Sequence, residues 1–311
     1  MSRARDYDPL PIDALQERIQ SFPVLTRNQL SELHFDWEVA CASAIKKSAR
    51  GSREREELTA VAYEGITRIL REMRARDGRD LDAPMGFSPR QTDEICEVMG
   101  APPRKVLDIG CSTGTLVRAL AARGYDAQGI DVSDELIERA RGLAESEGRR
   151  DASSRFIAGN FIRHDFGAQK FDLIHSNDVL EHIHPDEAGD FLSKCRELVR
   201  PGGILWVITP NRLTGPGDAT SLRFPWGTPA IGLHLKEYTL SELSRMLRGA
   251  HFTRVQSRLF GAGRGRRATK PRAIYAGLKR AAEPLLGAMP PLFRRRLMGI
   301  LDYSLVVARA S

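Results

Sequence analysis

Two places in the chain gather side chains suited to chemistry. Asn177-Asp178-Val-Leu-Glu181-His182-Ile-His184 puts an amide, two carboxylates and two imidazoles into eight residues, and His234 opens the later run His-Leu-Lys-Glu-Tyr-Thr239. On a helical turn Asp178, Glu181 and His182 stand at i, i+3 and i+4 and share one face. Two carboxylates and an imidazole so placed suit general-base work or a divalent metal. A histidine titrates near neutrality, so His182, His184 and His234 compete as the group that takes a hydroxyl proton. The plainer reading of each is a structural hydrogen bonder.

The second place is Lys105-Val-Leu-Asp108-Ile-Gly110-Cys111-Ser112-Thr-Gly114-Thr-Leu-Val-Arg-Ala-Leu120. A short apolar run with Asp108 near its end passes through a glycine turn into a pattern with Leu116, Val117 and Leu120 on one side. That order is strand, turn, helix. Gly110 supplies a tight turn, Gly114 permits close approach of backbone or ligand, and the helix start leaves N–H groups to point at a ligand. About 20 residues on, a second strand ends at Asp131-Val132, placed to accept both ribose hydroxyls of a nucleoside cofactor.

The elements that must position these groups alternate from 105 to 210. Strands are predicted near 105–110, 126–132, 154–160, 171–177 and 203–209, and helices near 113–123, 133–147 and 185–199. Such alternation means a parallel sheet with helices on both faces, with ligands at the carboxyl ends of the strands. Asp108, Asp131, Asn160 and Asn177-Asp178 all fall at those ends. Asn160-Phe161 follows the third strand. The plainer reading of this pair is a strand-end turn with a core phenylalanine.

The glycine turn and Asp131 together resemble the first motif of class I S-adenosylmethionine (SAM)-dependent methyltransferases, spanning residues 88–260 and the final strand. The family usually has glycine where Ser112 stands. The resemblance implies SAM as cofactor, bound by Asp108, Gly110, Cys111, Ser112, Gly114, Asp131, Val132, Asn160, Phe161 and Asn177. It also implies that the helix before the first strand borders the cofactor, near Arg90, and that His182, Asp178, His234 and Glu181 are catalytic. An acid-x-x-Glu-His after the fourth strand, with a later histidine, is similar to the metal-dependent small-RNA 2′-O-methyltransferases. For its first half it is also similar to the ubiquinone-pathway O-methyltransferases. Those families carry glutamate at the position of Asp178. The preferred reading here has no metal, the residues shaping the pocket floor by hydrogen bonds; a divalent ion is the lesser one.

Residues 1–80 show two stripes at helical spacing, Leu30, Leu33, Trp37, Cys41, Ala44 and Ile45, then Leu58, Val61, Ala62, Ile66, Ile69, Leu70 and Met73, with a polar break at 46–55. They make a helical addition, either a packed bundle or a lid. Gly78 to Met85 reads as a linker, and Ser88-Pro89 opens a helix through Met99. Thr239 caps a helix to Arg248, strands follow at 251–260 and 303–310, and the residues between them form a helical insertion. The expected fold is thus α/β. It is a Rossmann-like, seven-stranded, mostly parallel sheet with an N-terminal helical addition and a helical insertion before the last strand. The divisions are 1–80 (helical lid), 81–263 (SAM-binding core), 264–302 (basic insertion) and 303–311 (last strand).

The net charge of +7 is uneven: residues 264–311 hold eleven Lys/Arg and two acids, a local +9, so the rest sums to −2. The plainer reading of 264–302 is a solvated helical cap whose apolar side covers the sheet. Peripheral contact with an anionic membrane through 264–296 comes second. Four dispersed cysteines (Cys41, Cys96, Cys111, Cys195), the lack of a signal-peptide core and the lack of a long apolar run point to a reduced cytoplasmic protein. Two other readings fail. Gly110-Cys-Ser-Thr-Gly114 spells a nucleophile elbow but lacks an oxyanion loop before it, and Tyr275-x-x-x-Lys279 spells a dehydrogenase pair far from any nicotinamide motif.

The expected activity is methyl transfer to a hydroxyl of a small molecule, a sugar or specialised metabolite, by in-line displacement with His/Asp base assistance. An RNA ribose, or a lipid-linked acceptor at a membrane, is the alternative. The acidic remainder of the chain and the lack of an RNA-binding module argue against a nucleic-acid partner. The sequence is silent on oligomeric state.

Overall fold

The computed structural model describes residues 4, 6–20, 22–79, 89–148, 152–259 and 269–311. The expected cap Ser88, the linker from residue 80 on, and 264–268 of the basic segment lie outside them. The chain divides into two compact units: Pro84–Leu180, Ala188–Thr214 and Tyr238–Ser311 form one, and Met1–Ala83, Glu181–Glu187 and Gly215–Glu237 the other.

In the larger unit the apolar runs become strands because both faces of a parallel sheet are covered. The elements are α4 (Pro89–Met99), β1 (Lys105–Ile109), α5 (Thr115–Ala121), β2 (Asp126–Asp131), α6 (Asp134–Ser146), α7 (Ala152–Arg155), β3 (Phe156–Ala158), β4 (Phe171–Asn177), α8 (Ala188–Leu198), β5 (Val199–Ile208), α9 (Leu240–Gly249), β6 (Phe252–Gln256), α10 (Ala273–Ala288), α11 (Pro291–Ile300) and β7 (Leu305–Ala310); α1 to α3 lie in the other unit. The sheet runs β3-β2-β1-β4-β5-β7-β6. Strands β1 to β5 pair in parallel, and β7 slots antiparallel between β5 and β6. This is the expected seven-stranded, mostly parallel Rossmann-like sheet. Its order reverses between β1 and β4, so their carboxyl ends open a crevice. Val106, Leu116, Val117, Leu120, Ile137, Phe156, Leu173 and Trp206 fill one core. Thr239 caps α9 as expected, and the structure adds a reciprocal box with Glu242.

The insertion departs from expectation. Ala276, Leu286 and Met298 are buried, as the apolar side of a cap should be, but Leu278, Leu285, Leu292 and Phe293 are exposed, while Lys279 and Glu283 point inward. Lys279 Nζ donates to Ser257 Oγ at 3.1 Å and Asp302 O at 2.6 Å, and Glu283 accepts the N–H groups of Leu240 and Ser241 at 2.7 and 3.1 Å. Burial lowers the Lys279 pKa to about 8. These contacts anchor α10, and they leave no role for the Tyr275–Lys279 spacing.

The smaller unit holds α1 (Ile12–Gln20), α2 (Arg27–Lys47) and α3 (Arg53–Arg76). The two predicted stripes meet around Leu33, Trp37, Cys41, Ile45, Ala62, Ile66 and Ile69, joined by Leu15, Leu233 and Leu235. Trp37 donates to Ala62 O at 2.9 Å across a gap kept open by Gly65, where a Cβ would overlap the indole. Arg55 is buried and bonds Ser48 O at 2.6 Å, Asp186 at 2.6 Å and Glu187 at 3.1 Å, tying 181–187 to the α2–α3 turn. No helix among the described residues is long and apolar enough to cross a membrane.

Candidate active site

Within the larger unit, the glycine turn after β1 stacks three left-handed residues: Gly110 (φ 69°), Ser112 (φ 50°) and Gly114 (φ 72°). The usual family glycine at position 112 follows from that conformation, which a Cβ disfavours. A Cβ at Gly110 would also overlap Val179. Gly110 and Cys111 donate their N–H groups to Ile130 O at 2.8 and 3.2 Å, which latches the turn to β2. Gly114 caps α5 with no side-chain acceptor over the first-turn N–H groups. The close approach that Gly114 permits is to the Phe156 ring and to Ala140, so here the glycine serves packing.

Asp131 closes the arrangement. Its Oδ2 accepts the Ser112 N–H at 2.9 Å and its Oδ1 the Ser133 N–H at 3.0 Å, so one carboxylate spans the loops after β1 and β2. Burial raises its pKa, opposed by those same N–H groups. Each oxygen has a second lone pair, so the carboxylate can still accept ribose hydroxyls. Val132 lies in the bend between Asp131 and Ser133.

Several residues expected at the cofactor also make contacts within the chain. Asp108 lies opposite His175 in the β1–β4 register, and its Oδ1 meets His175 Nδ1 at 2.7 Å. Gln91 of α4 reaches His175 Nε2 at 3.3 Å, so Gln91 is buried there where Arg90 is exposed. Cys111 buries its thiol against Gly129, and burial raises its pKa, so only its backbone faces the turn. The Asn160 Oδ1 accepts the Ile162 N–H at 2.9 Å. Phe161 is buried edge-on to Phe191 at 5.2 Å and beside Phe166, in an aromatic cluster instead of standing as an open platform for a base. Asn177 Nδ2 donates to Asp178 Oδ2 at 3.1 Å, and the Asp178 N–H meets Ile208 O at 2.9 Å at the tips of β4 and β5.

Asp178 has φ 53°, so the chain makes no continuous helical turn from it; a single 3₁₀ turn spans Leu180–His182. The shared face expected for Asp178, Glu181 and His182 is therefore not formed. In the smaller unit Glu181 and His182 instead meet His234, with one ligating atom of each within 4.8 Å of the others. His182 Nδ1 donates to Leu233 O at 2.9 Å, which leaves Nε2 as the acceptor, 4.0 Å from Glu181 Oε1. His234 Nδ1 meets Glu237 Oε1 at 2.8 Å, and the Gly217 N–H also donates to that oxygen. His184 stands apart, 2.5 Å from Asp186 Oδ1, within the Arg55 network.

Electrostatics separates the two clustered imidazoles. Burial, reinforced by the charge on His234, drives the His182 pKa down to about 3. Burial also pulls on His234, but its bond to Glu237 and the charges of Glu181 and Asp218 outweigh it and raise the pKa to about 9. At neutral pH His182 is an acceptor and His234 a donor. Glu38 supports the group from α2, accepting from His34 at 2.9 Å, Ala219 N–H at 3.1 Å and Leu233 N–H at 3.4 Å. Glu38, Asp218 and Glu237 were not singled out in the sequence. Glu237 stands in the Glu-Tyr-Thr239 run that follows His234, which marks its place but not its bond to that histidine.

A family described as a methyltransferase domain matches residues 106–203. The ubiquinone biosynthesis O-methyltransferase of Mesorhizobium japonicum is 34% identical over 176 residues, 52% of this chain and 68% of that protein. The protein of the same name in Actinobacillus pleuropneumoniae is 37% identical over 114 residues, 35% of this chain; the match spans about half the relative's length, 47%. The solved magnesium protoporphyrin IX methyltransferase of Synechocystis PCC 6803 is 16% identical, covering 71% of this chain and 79% of that one, with a TM-score of 0.44. The chain belongs to the class I SAM-dependent methyltransferases, the family whose cofactor is S-adenosylmethionine.

Proposed function

We propose that this chain transfers a methyl group from SAM to a hydroxyl of a small molecule. The observation that carries the reading is Asp131, which gathers both cofactor loops at the tip of β2 while retaining acceptor capacity. When bound, SAM supplies a methyl already activated by a sulfonium. The larger unit's part is to hold it: Asp131 accepts from the ribose, and the left-handed turn at Gly110–Gly114 brings backbone close.

The acceptor is assigned to Glu181, His182 and His234. His182 is held neutral, with Nδ1 committed to Leu233, so its Nε2 always presents a lone pair. It is too weakly basic to ionise a resting hydroxyl. It becomes an adequate proton acceptor once the oxygen turns oxonium-like as its bond to carbon forms. His234 stays cationic and donates to oxygen, and Glu181 balances that charge. The relatives' name favours an acceptor from ubiquinone biosynthesis over a sugar or specialised metabolite.

One observation favours a metal-assisted variant. Two imidazoles and a carboxylate within 4.8 Å, each imidazole with its other nitrogen already bonded, fit the donor set of a divalent ion. Glu181, His182 and His234 would hold that ion, which would supply Lewis acidity toward a hydroxyl.

The test pairs calorimetry with turnover on hydroxylated ubiquinone-pathway intermediates and on a panel of sugar acceptors. Asp131→Ala should weaken SAM binding at least tenfold with the fold intact. His182→Gln should leave SAM affinity unchanged and lower kcat by about 10² or more. Wild-type protein that binds no SAM would end the proposal; full turnover by His182→Gln would end the role given to that residue.

A further inference from the structure

We infer that the outer face of α10 and α11 docks on an anionic lipid bilayer, a property separate from the acceptor's identity. The helix α10 is apolar on both sides: inward it buries Ala276 and Leu286 beside two charged groups, and outward it presents a second apolar stripe. Its inward side carries Lys279, only 3% exposed, and Glu283, both satisfied by bonds within the unit. Its outward side carries Ile274, Leu278, Ala281, Leu285 and Ala288, spaced 4, 3, 4 and 3 residues apart on one helical face. Ile274, Leu278 and Leu285 are 64%, 59% and 68% exposed, and Leu292 and Phe293 at the start of α11 are 69% and 64% exposed. Five of the eight large exposed apolar side chains among the described residues thus fall within 20 residues of chain. A protein that spends buried space on a lysine and a glutamate while presenting leucines outward has a use for that face.

Charge identifies the occupant. Arg272 and Arg296 are exposed around the apolar stripe, as is Arg295, which also has a partner within the chain; Arg280 is partly exposed, and Arg294 is bonded to Leu213 O and, at 2.9 Å, to Gly287 O. Lys270 is paired with Glu97 at 2.6 Å and adds little. From 269 to 301 the sole acid is Glu283, and it is turned inward. A second copy on this face would bring two cationic rims together. An RNA would use the arginines and leave the leucines in water. A bilayer with anionic headgroups satisfies both, the apolar side chains entering the headgroup–acyl boundary and the arginines meeting phosphate.

The experiment is flotation of the full chain with vesicles of phosphatidylcholine alone, or with about one third phosphatidylglycerol. Binding should require the anionic lipid and weaken as salt rises from about 0.1 to 0.5 M. Arg295→Gln with Arg296→Gln should lower affinity about fivefold per arginine, and Leu278→Asp with Leu285→Asp about tenfold or more per leucine. All four substitutions lie on exposed positions, so unchanged circular dichroism and melting of each variant serve as the folding control. Three results would overturn the proposal: no retention on anionic vesicles at low salt; retention indifferent to the leucine changes, including retention on RNA alone; or a concentration-dependent dimer that those changes abolish.

Discussion

The two imidazoles of the Glu181–His182–His234 group respond to pH in opposite directions, which makes their environment measurable. The folded pKa of His234, about 9, lies above the usual value of 6.5, so its contribution to stability is complete below pH 6.5 and is lost as pH rises through 9. The folded pKa of His182, about 3, lies below 6.5, so the unfolded chain takes a proton that the folded one refuses, and stability falls as pH drops from 6.5 toward 3. The pair therefore stabilises most just above pH 6.5. With about 1.4 kcal/mol for each tenfold change in proton affinity, each limb is worth at most a few kcal/mol. Denaturant midpoints from pH 4 to pH 9.5 should fall on both sides; His234→Gln should flatten the alkaline limb and His182→Gln the acid limb. Limbs that neither change alters would show that neither histidine is perturbed as described. Little of this was legible in the sequence, which sets His182 and His234 above His184 but does not tell the two apart. The distinction comes from Leu233 O, Glu237 and Asp218, whose positions depend on how 215–237 folds. Asp131 was legible because its location at a strand end depends on local pattern alone.

At the scale of elements, strands and helices from 105 to 210 followed from alternation, since a parallel sheet writes its period directly into apolar runs. The direction in which a helix faces is a tertiary matter, and α10 shows the limit: Ala276 and Leu286 turn inward, while Leu278 and Leu285 turn out. Gly65 shows the converse. A glycine inside α3 reads as a weakness in a helix, yet it makes room for Trp37 to reach Ala62 O. Gly65→Ala gains helix propensity of about 1 kcal/mol but forces a methyl into the indole. Overpacking of that kind costs about 1–3 kcal/mol, and the hydrogen bond of Trp37 would be lost with it, about 1 kcal/mol more. The expected outcome is net destabilisation of about 1–3 kcal/mol, read from the urea midpoint, with red-shifted tryptophan fluorescence. A midpoint that rises would mean that the α2–α3 contact is loose.

At the scale of the whole molecule, the question is whether the N-terminal helices are an appendage. The reading from sequence, a helical lid or packed bundle at 1–80 beside a core at 81–263, treats them as one. The chain path argues otherwise. The unit that contains α1 to α3 also takes in Glu181–Glu187 and Gly215–Glu237, segments that leave the sheet after β4 and β5 and return. Leu233 and Leu235 belong to the same apolar cluster as Trp37 and Ile66, Glu38 of α2 holds the Leu233 and Ala219 N–H groups, and Arg55 of α3 holds Asp186 and Glu187. Removing the helices would strip these segments of their core and leave Glu181, His234 and Glu237 as charged groups without the structure that buries them. A chain beginning at Pro84 should therefore not behave as a minimal methyltransferase: it should be recovered insoluble, or soluble with 181–187 and 215–237 open to protease and no turnover, even if some SAM affinity survives at Asp131. Limited proteolysis with mass spectrometry would locate the cuts. A well-folded, protease-resistant fragment from Pro84 that still turns over would show that the helices only gate access, and that the buried imidazole–carboxylate group keeps its geometry without them.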